Sequence, residues 1–224
     1  PYPPTSGGRV RAYNILRRMA KHHDVWLATI LWSAEDADGV SHLQQYCCDV
    51  ISAELQRRHP LAHLPGLASF ASTGKPLELK FYFSKELGQK IHALASEIDF
   101  DVVQIEESLM APYLEVLPRN ARAKRVLTFY DIVSDQAKRN ARVLNDFVAR
   151  GRAWLNSLMM RRWEAQYAER FDRCITVSER DRQLLLAANP RLQVEVVPNG
   201  VDTEGLQPLA RQDDVPNLLL VGSL

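Results

Sequence analysis

Cys174-Ile175-Thr176-Val177, then Ser178-Glu179-Arg180-Asp181, then Val194-Glu195-Val196-Val197 ending in Pro198-Asn199-Gly200, is the stretch that decides the fold. The two short β-branched runs predict strands, and Ser178 three residues ahead of Asp181 predicts a helix start between them. Upstream the alternation repeats. Val25 to Trp32 is a near-continuous apolar run that predicts a strand buried on both faces. It follows a helical pattern of Val10, Tyr13, Ile15, Leu16, Met19 and Ala20. A helix from Asp36 through Gln44 and a strand at Cys48–Ala53 come next, and residues 57–76, with Pro60, Pro65, Gly66, Gly74 and Pro76, predict a loop with a short helix. Helix Leu77–Ile98, strand Asp101–Glu106, a short helix Ser108–Leu117 and strand Lys124–Tyr130 follow. A long helical region runs from about Ser134 to Arg170, with a break expected near Gly151. Apolar strands alternating with helices imply an α/β fold, a Rossmann-like parallel sheet with helices on both faces.

Composition narrows the partners. The 224 residues carry 28 Lys+Arg against 27 Asp+Glu, a net charge of +1, which gives no bulk electrostatic reason to expect nucleic acid. No apolar run reaches the roughly 18 residues a membrane-spanning helix needs. Three cysteines, Cys47, Cys48 and Cys174, form no CxxC pair and predict unpaired, mostly buried thiols of a reducing compartment. All six histidines lie at or before His92 and none has metal-ligand spacing, so no metal is expected. Between residues 138 and 162, Lys138, Arg139, Arg142, Arg150, Arg152, Arg161 and Arg162 face one acid, Asp146, and are interleaved with Trp154, Leu155, Leu158, Met159 and Met160. This segment is either a peripheral contact for an anionic membrane or a solvated helix with a core-facing stripe.

In open parallel sheets ligands bind beyond the carboxyl ends of the strands. That rule selects Gly7-Gly8, Trp32-Ser33, Glu106-Glu107-Ser108, Tyr130-Asp131, Ser178-Glu179 and Asn199-Gly200. Gly7-Gly8 opens a helix, where free N–H groups and positive potential suit a phosphate and Arg9 and Arg11 add charge; a plain turn requiring a positive φ explains the pair equally. No G-x-G-x-x-G is present, so a dinucleotide fingerprint is not supported. Asp131 can accept a hydrogen bond from a sugar hydroxyl or a proton from a nucleophile, whereas Asp135 also suits a helix cap. Adjacent Glu106 and Glu107 in a strand point to opposite faces, so one at most is expected to face a cleft. Ser178 reads first as a helix cap.

Three segments taken together are more specific. Pro1-Tyr2-Pro3-Pro4-x-x-Gly7-Gly8-x-x-Arg11-x-x-x-x-Leu16, Cys174-Ile175-Thr176-Val177-Ser178-Glu179-x-Asp181 and Val196-Val197-Pro198-Asn199-Gly200-Val201-Asp202 resemble, in order and spacing, the N-terminal half of GT-B-fold glycosyltransferases of family 4. The bacterial sugar transferases of exopolysaccharide clusters are the nearest in character, and Phe129-x-Asp131-x-Val133-Ser134-Asp135 looks like a segment of that subgroup. The resemblance implies two Rossmann-like domains around a cleft, the N-terminal one receiving the acceptor and the C-terminal one holding most contacts to the nucleotide sugar. On that basis residues 1–210 are expected to be the acceptor-side domain, and residues 211–224 a linker plus the first strand of a donor-binding domain. The first strand of the fold is expected to precede Pro1, and residues 1–224 alone are expected to be inactive.

By the same resemblance, the reaction is a hexosyl transfer from a nucleotide-sugar donor to a glycan or lipid-linked acceptor, with retention and without a bound metal or cofactor. A cytoplasmic setting is expected, and any peripheral contact with the inner face of the membrane would come from residues 138–162 rather than from the resemblance. The resemblance assigns the reacting sugar to Tyr130 and Asp131, with Tyr130 standing where many relatives place a histidine. It places Gly7 and Gly8 at the donor diphosphate and Ser178, Asn199 and Gly200 at cleft or interdomain positions; the charge of Arg11 and the strand-end carboxylate of Glu106 add these two to the expected donor-phosphate and substrate contacts. Two alternatives stay open: a non-catalytic sugar- or partner-binding subunit on the same fold, and a nucleotide-sugar epimerase.

Overall fold

The structure, a computed structural model, describes residues 1–33, 35–55, 76, 79, 81–119, 121–203 and 205. Helix α1 (Gly7–Met19) leads into strand β1 (Trp26–Leu31), helix α2 (Glu35–Leu43) and strand β2 (Asp49–Glu54). After α3 (Lys85–Glu97) come β3 (Val102–Glu106), a 3-10 segment (Ser108–Val116), β4 (Lys124–Phe129), α4 (Val133–Val143) and α5 (Phe147–Ala168). Strand β5 (Arg173–Thr176), α6 (Glu179–Ala188) and β6 (Val194–Val196) complete the order.

All described strand pairs are parallel. β1 pairs with β2 from Trp26↔Asp49 to Leu31↔Glu54, and β3-β4-β5-β6 lie side by side in that order. Each connection is therefore a crossover through a helix or the 3-10 segment, which puts helices on the sheet faces as the alternation predicts. One core joins both sheets: Ile30 and Ala53 from the first pack in the same cluster as Ile105, Leu127, Phe129 and Cys174 from the second, sealed by Leu87 and by Met160, Trp163 and Ala168 of α5. A smaller cluster of Leu16, Leu43 and Val50 anchors α1 and α2, with Tyr2, Tyr13 and Leu27 against it.

Several expectations shift. Helix α3 begins at Lys85 rather than near residue 77, because Ser84 caps it by accepting from the Leu87 amide. The Ser84 amide donates to the buried Tyr113 hydroxyl at 2.7 Å, which holds that start in place. The 3-10 geometry over Ser108–Val116 replaces a short α-helix; Pro112 lies inside it and supplies no backbone N–H. The region 134–170 is two helices that break at Leu144–Asp146, not at Gly151, which lies inside α5. The cause is local: Asp146 caps α5 by accepting from the Val148 and Ala149 amides. β1 is less enclosed than its apolar run suggests, with Ile30 alone buried. The three thiols are free as expected, but Cys48 is exposed and Cys47 only half-buried. The predicted loop at 57–75, the strand at 217–223 and the boundary at 210/211 lie outside the described residues.

Candidate functional site

The N-terminus of α1 reaches the carboxyl ends of β3, β4 and β6. Ser6 takes the N-cap position in extended conformation but makes no side-chain cap, and no acidic residue stands in the first turn. Among the described residues, the Gly7, Gly8 and Arg9 amides donate to no acceptor. An uncapped helix start of this kind presents free donors and positive potential to an anion. Gly8 packs directly on Tyr130: an added Cβ would stand 3.0 and 3.2 Å from two ring carbons and 3.5 Å from Glu107 Oε1. Close backbone approach therefore explains the glycine at 8, while Gly7 faces open space.

Arg9 and Arg11 divide. Arg9 pairs with Asp36 at 3.0 Å, and the other Asp36 oxygen accepts from the Trp32 amide at 2.8 Å. Arg11 reaches across to the segment after β6, donating to the carbonyls of Val197 and Pro198 and to Asn199 Oδ1 at 2.8, 3.2 and 2.9 Å. Its Nε is buried without a partner. Arg11 thus fastens Asn199 beside α1, with Gly200 beyond it in open space.

Two strand ends supply the acidic side. Gln104 donates to both Glu106 Oε1 and Thr128 Oγ1, aligning the Glu106 carboxylate on the sheet face. Glu106 Oε2 and the Tyr130 hydroxyl are buried against each other, and neither meets any further hydrogen-bond partner among the described residues. Buried polar atoms short of partners are costly and mark a place where a ligand group is accommodated. Glu107 has φ 72 and ψ 140, the only positive-φ non-glycine among the described residues. This twist breaks strand alternation, so both carboxylates bear on Tyr130, against the expectation that one at most would. Burial first, then the charges of Glu106 and Asp131, pushes the Glu107 carboxyl above its ordinary value. Burial, reinforced by the Glu106 carboxylate, pushes the Tyr130 phenol far up, so it stays protonated.

Asp131 is exposed at the rim, close enough to influence Glu107 and Arg180. Asp135 caps nothing; it accepts from Arg180 at 2.7 Å and pairs with Arg139 at 3.4 Å. Ser178 is the cap of α6: its hydroxyl accepts from the Asp181 amide and donates to Asp181 Oδ2. The site therefore gathers Gly8, Arg11, Glu106, Tyr130 and Asn199, has Asp131 at its edge, and leaves the Ser178 hydroxyl engaged elsewhere.

Glu164 is a residue that sequence reasoning missed. It is 2% exposed, in the last turns of α5. Its Oε1 accepts from Ser108 Oγ and the Val133 amide at 3.1 and 3.0 Å, and its Oε2 accepts from the Ser134 amide at 3.2 Å. One carboxylate thus caps α4 and grips the loop after β3, fixing the segments that carry Glu106-Glu107 and Tyr130-Asp131. Burial raises its pKa against the hydrogen bonds that favour the charged form.

Parallel strands flanked by helices, with polar side chains gathered at the carboxyl ends of β3, β4 and β6 beside a bare helix N-terminus, define a Rossmann-like α/β domain. The profile of Glycosyltransferase Family 4 matches residues 5–205, and the chain belongs to that family. No curated protein matches the chain.

Proposed function

We propose that the protein transfers a hexosyl group, with retention, from a nucleotide-sugar donor to a hydroxyl of a glycan or lipid-linked acceptor. The observation that carries the reading is the buried pair of the Tyr130 hydroxyl and Glu106 Oε2, which meet no partner but each other among the described residues, beside the bare N-terminus of α1. A sugar hydroxyl both accepts and donates, so one such group satisfies the phenol and the carboxylate together. In transfer the C1–O bond to the diphosphate breaks, a C1–O bond to the acceptor oxygen forms, and the acceptor proton leaves to a base. Positive charge grows on the sugar ring and negative charge on the departing diphosphate. The first-turn amides at Gly7 and Gly8 suit the diphosphate, and Asp131, Glu106 and Glu107 suit the cationic sugar. Tyr130, held protonated, serves as a hydrogen-bond donor.

Three free thiols fit the reducing cytoplasm in which nucleotide sugars would be used, the setting this reading assigns. Product analysis of the full-length enzyme with nucleotide sugars tests the reaction class, residues 1–224 by themselves being expected to show no transfer. Sugar transferred to an added acceptor is the expected result; an isomerised nucleotide sugar without acceptor would instead make the protein an epimerase. A second reading, a non-catalytic sugar-binding subunit, draws on Tyr130, whose phenol cannot take up a proton at neutral pH. Asp131→Ala separates the two: turnover is expected to fall at least about a hundredfold, and unchanged turnover favours the binding subunit.

A further inference from the structure

The α4–α5 hairpin ends in large apolar side chains that no described residue covers. Val143 and Phe147 are each 77% exposed and Val148 64%, with Leu144 between them. They sit at the turn between the two helices, and Phe147 also borders the cleft behind it. That cleft, about 370 Å³ between the two helices, is lined by Lys138, Arg142, Arg150, Phe147 and Trp154 among others. Among the described residues these three cations have no ion-pair partner. The Arg150 guanidinium lies 5.7 Å from the centroid of the Phe147 ring, at the boundary of the two zones. The one acid at the tip, Asp146, is occupied in capping α5.

We propose that this hairpin docks on an anionic phospholipid bilayer, with the tip side chains in the acyl boundary and a lipid phosphate in the cleft between Lys138, Arg142 and Arg150. The charge pattern selects this occupant. Exposed aliphatic and aromatic groups at the turn of the hairpin, beside unpaired cations, match an apolar layer under an anionic headgroup plane. The cleft supplies at least two guanidinium forks for phosphate oxygens, and the Trp154 ring beside them suits the interfacial depth. Helix α4 has 11 residues and starts next to Asp131, so the bilayer would lie about 16 Å from the site along that helix. Docking stands whether or not the transferase reading does, since it rests on other residues.

Flotation of the full chain with vesicles tests it, using phosphatidylcholine alone and phosphatidylcholine with about one-third phosphatidylglycerol. The expected result is binding to the anionic vesicles, release at high salt, and weak binding to neutral ones. The double variant Arg142→Gln/Arg150→Gln is expected to bind about thirtyfold more weakly, given roughly a fivefold loss per surface cation. The tip variant Phe147→Ser/Val148→Ser is expected to lose about tenfold or more. Arg18→Gln/Lys21→Gln, on the exposed end of α1, is the charge-matched control and should bind as the parent does. All variants alter exposed side chains, and unchanged thermal unfolding by circular dichroism confirms their fold. Absence of binding to anionic vesicles at low salt overturns the proposal, as does equal binding by the parent and both hairpin variants.

Discussion

At the scale of single residues, Glu107 carries the clearest conflict between stability and position. Its φ of 72 with ψ 140 lies in a region that side chains with a Cβ rarely adopt. Glu107→Gly should therefore stabilise the full chain by about 1 kcal/mol, read as a higher Tm. The same change removes a carboxylate beside Tyr130 and should lower transferase turnover. Its titration adds a pH dependence. The folded-state pKa is raised above the ordinary 4.5, so the stability it contributes is full below 4.5 and is lost as pH rises through the folded value. Glu164 has the same sign. Thermal melts of Glu107→Gln between about pH 4 and pH 7 should show a shallower fall in Tm than the parent. Glu106 and Tyr130 were visible in the sequence because the strand-end rule needs only a strand and its last residue. The joint approach of Glu106 and Glu107 was not, because it depends on one backbone torsion.

At the scale of elements, the strand–helix alternation was legible almost throughout, because β-branched runs and capping residues are local signals. β3 through β6 fall within a residue or so of their predicted spans. What escaped was set by distant partners. The start of α3 depends on Ser84 meeting Tyr113, and the break between α4 and α5 on Asp146, which the composition marked only as the lone acid of a basic segment. Glu164 looks in the sequence like any polar helix residue; its role appears only when Ser108 and the Val133 and Ser134 amides converge on it. Glu164→Ala strands three buried donors and should cost about 3 kcal/mol or more, measured by urea unfolding. Glu164→Gln keeps the shape but turns an amide toward donors, so it should be destabilised and not rescued to the parent level. A loss under about 0.5 kcal/mol for Glu164→Ala would show that the loops are held by other means.

At the scale of the whole molecule, two parallel sheets share one core, and the candidate site is built from opposite ends of the described chain. Arg11 on α1 clasps Val197, Pro198 and Asn199 after β6, so residues almost two hundred positions apart form one wall. The resemblance named both segments but not their contact, because the pairing of Arg11 with Asn199 depends on how α1 lies against the end of β6. Arg11→Gln should free the segment after β6, weakening nucleotide binding by about tenfold while changing Tm little, because the contact is exposed. The central claim is that this site serves a nucleotide-sugar donor. Isothermal titration of the full-length enzyme with nucleoside diphosphates tests it most directly. The account predicts saturable binding of at least one nucleoside diphosphate, weakened when a Cβ is added by Gly8→Ala. The absence of binding by any of them would contradict it.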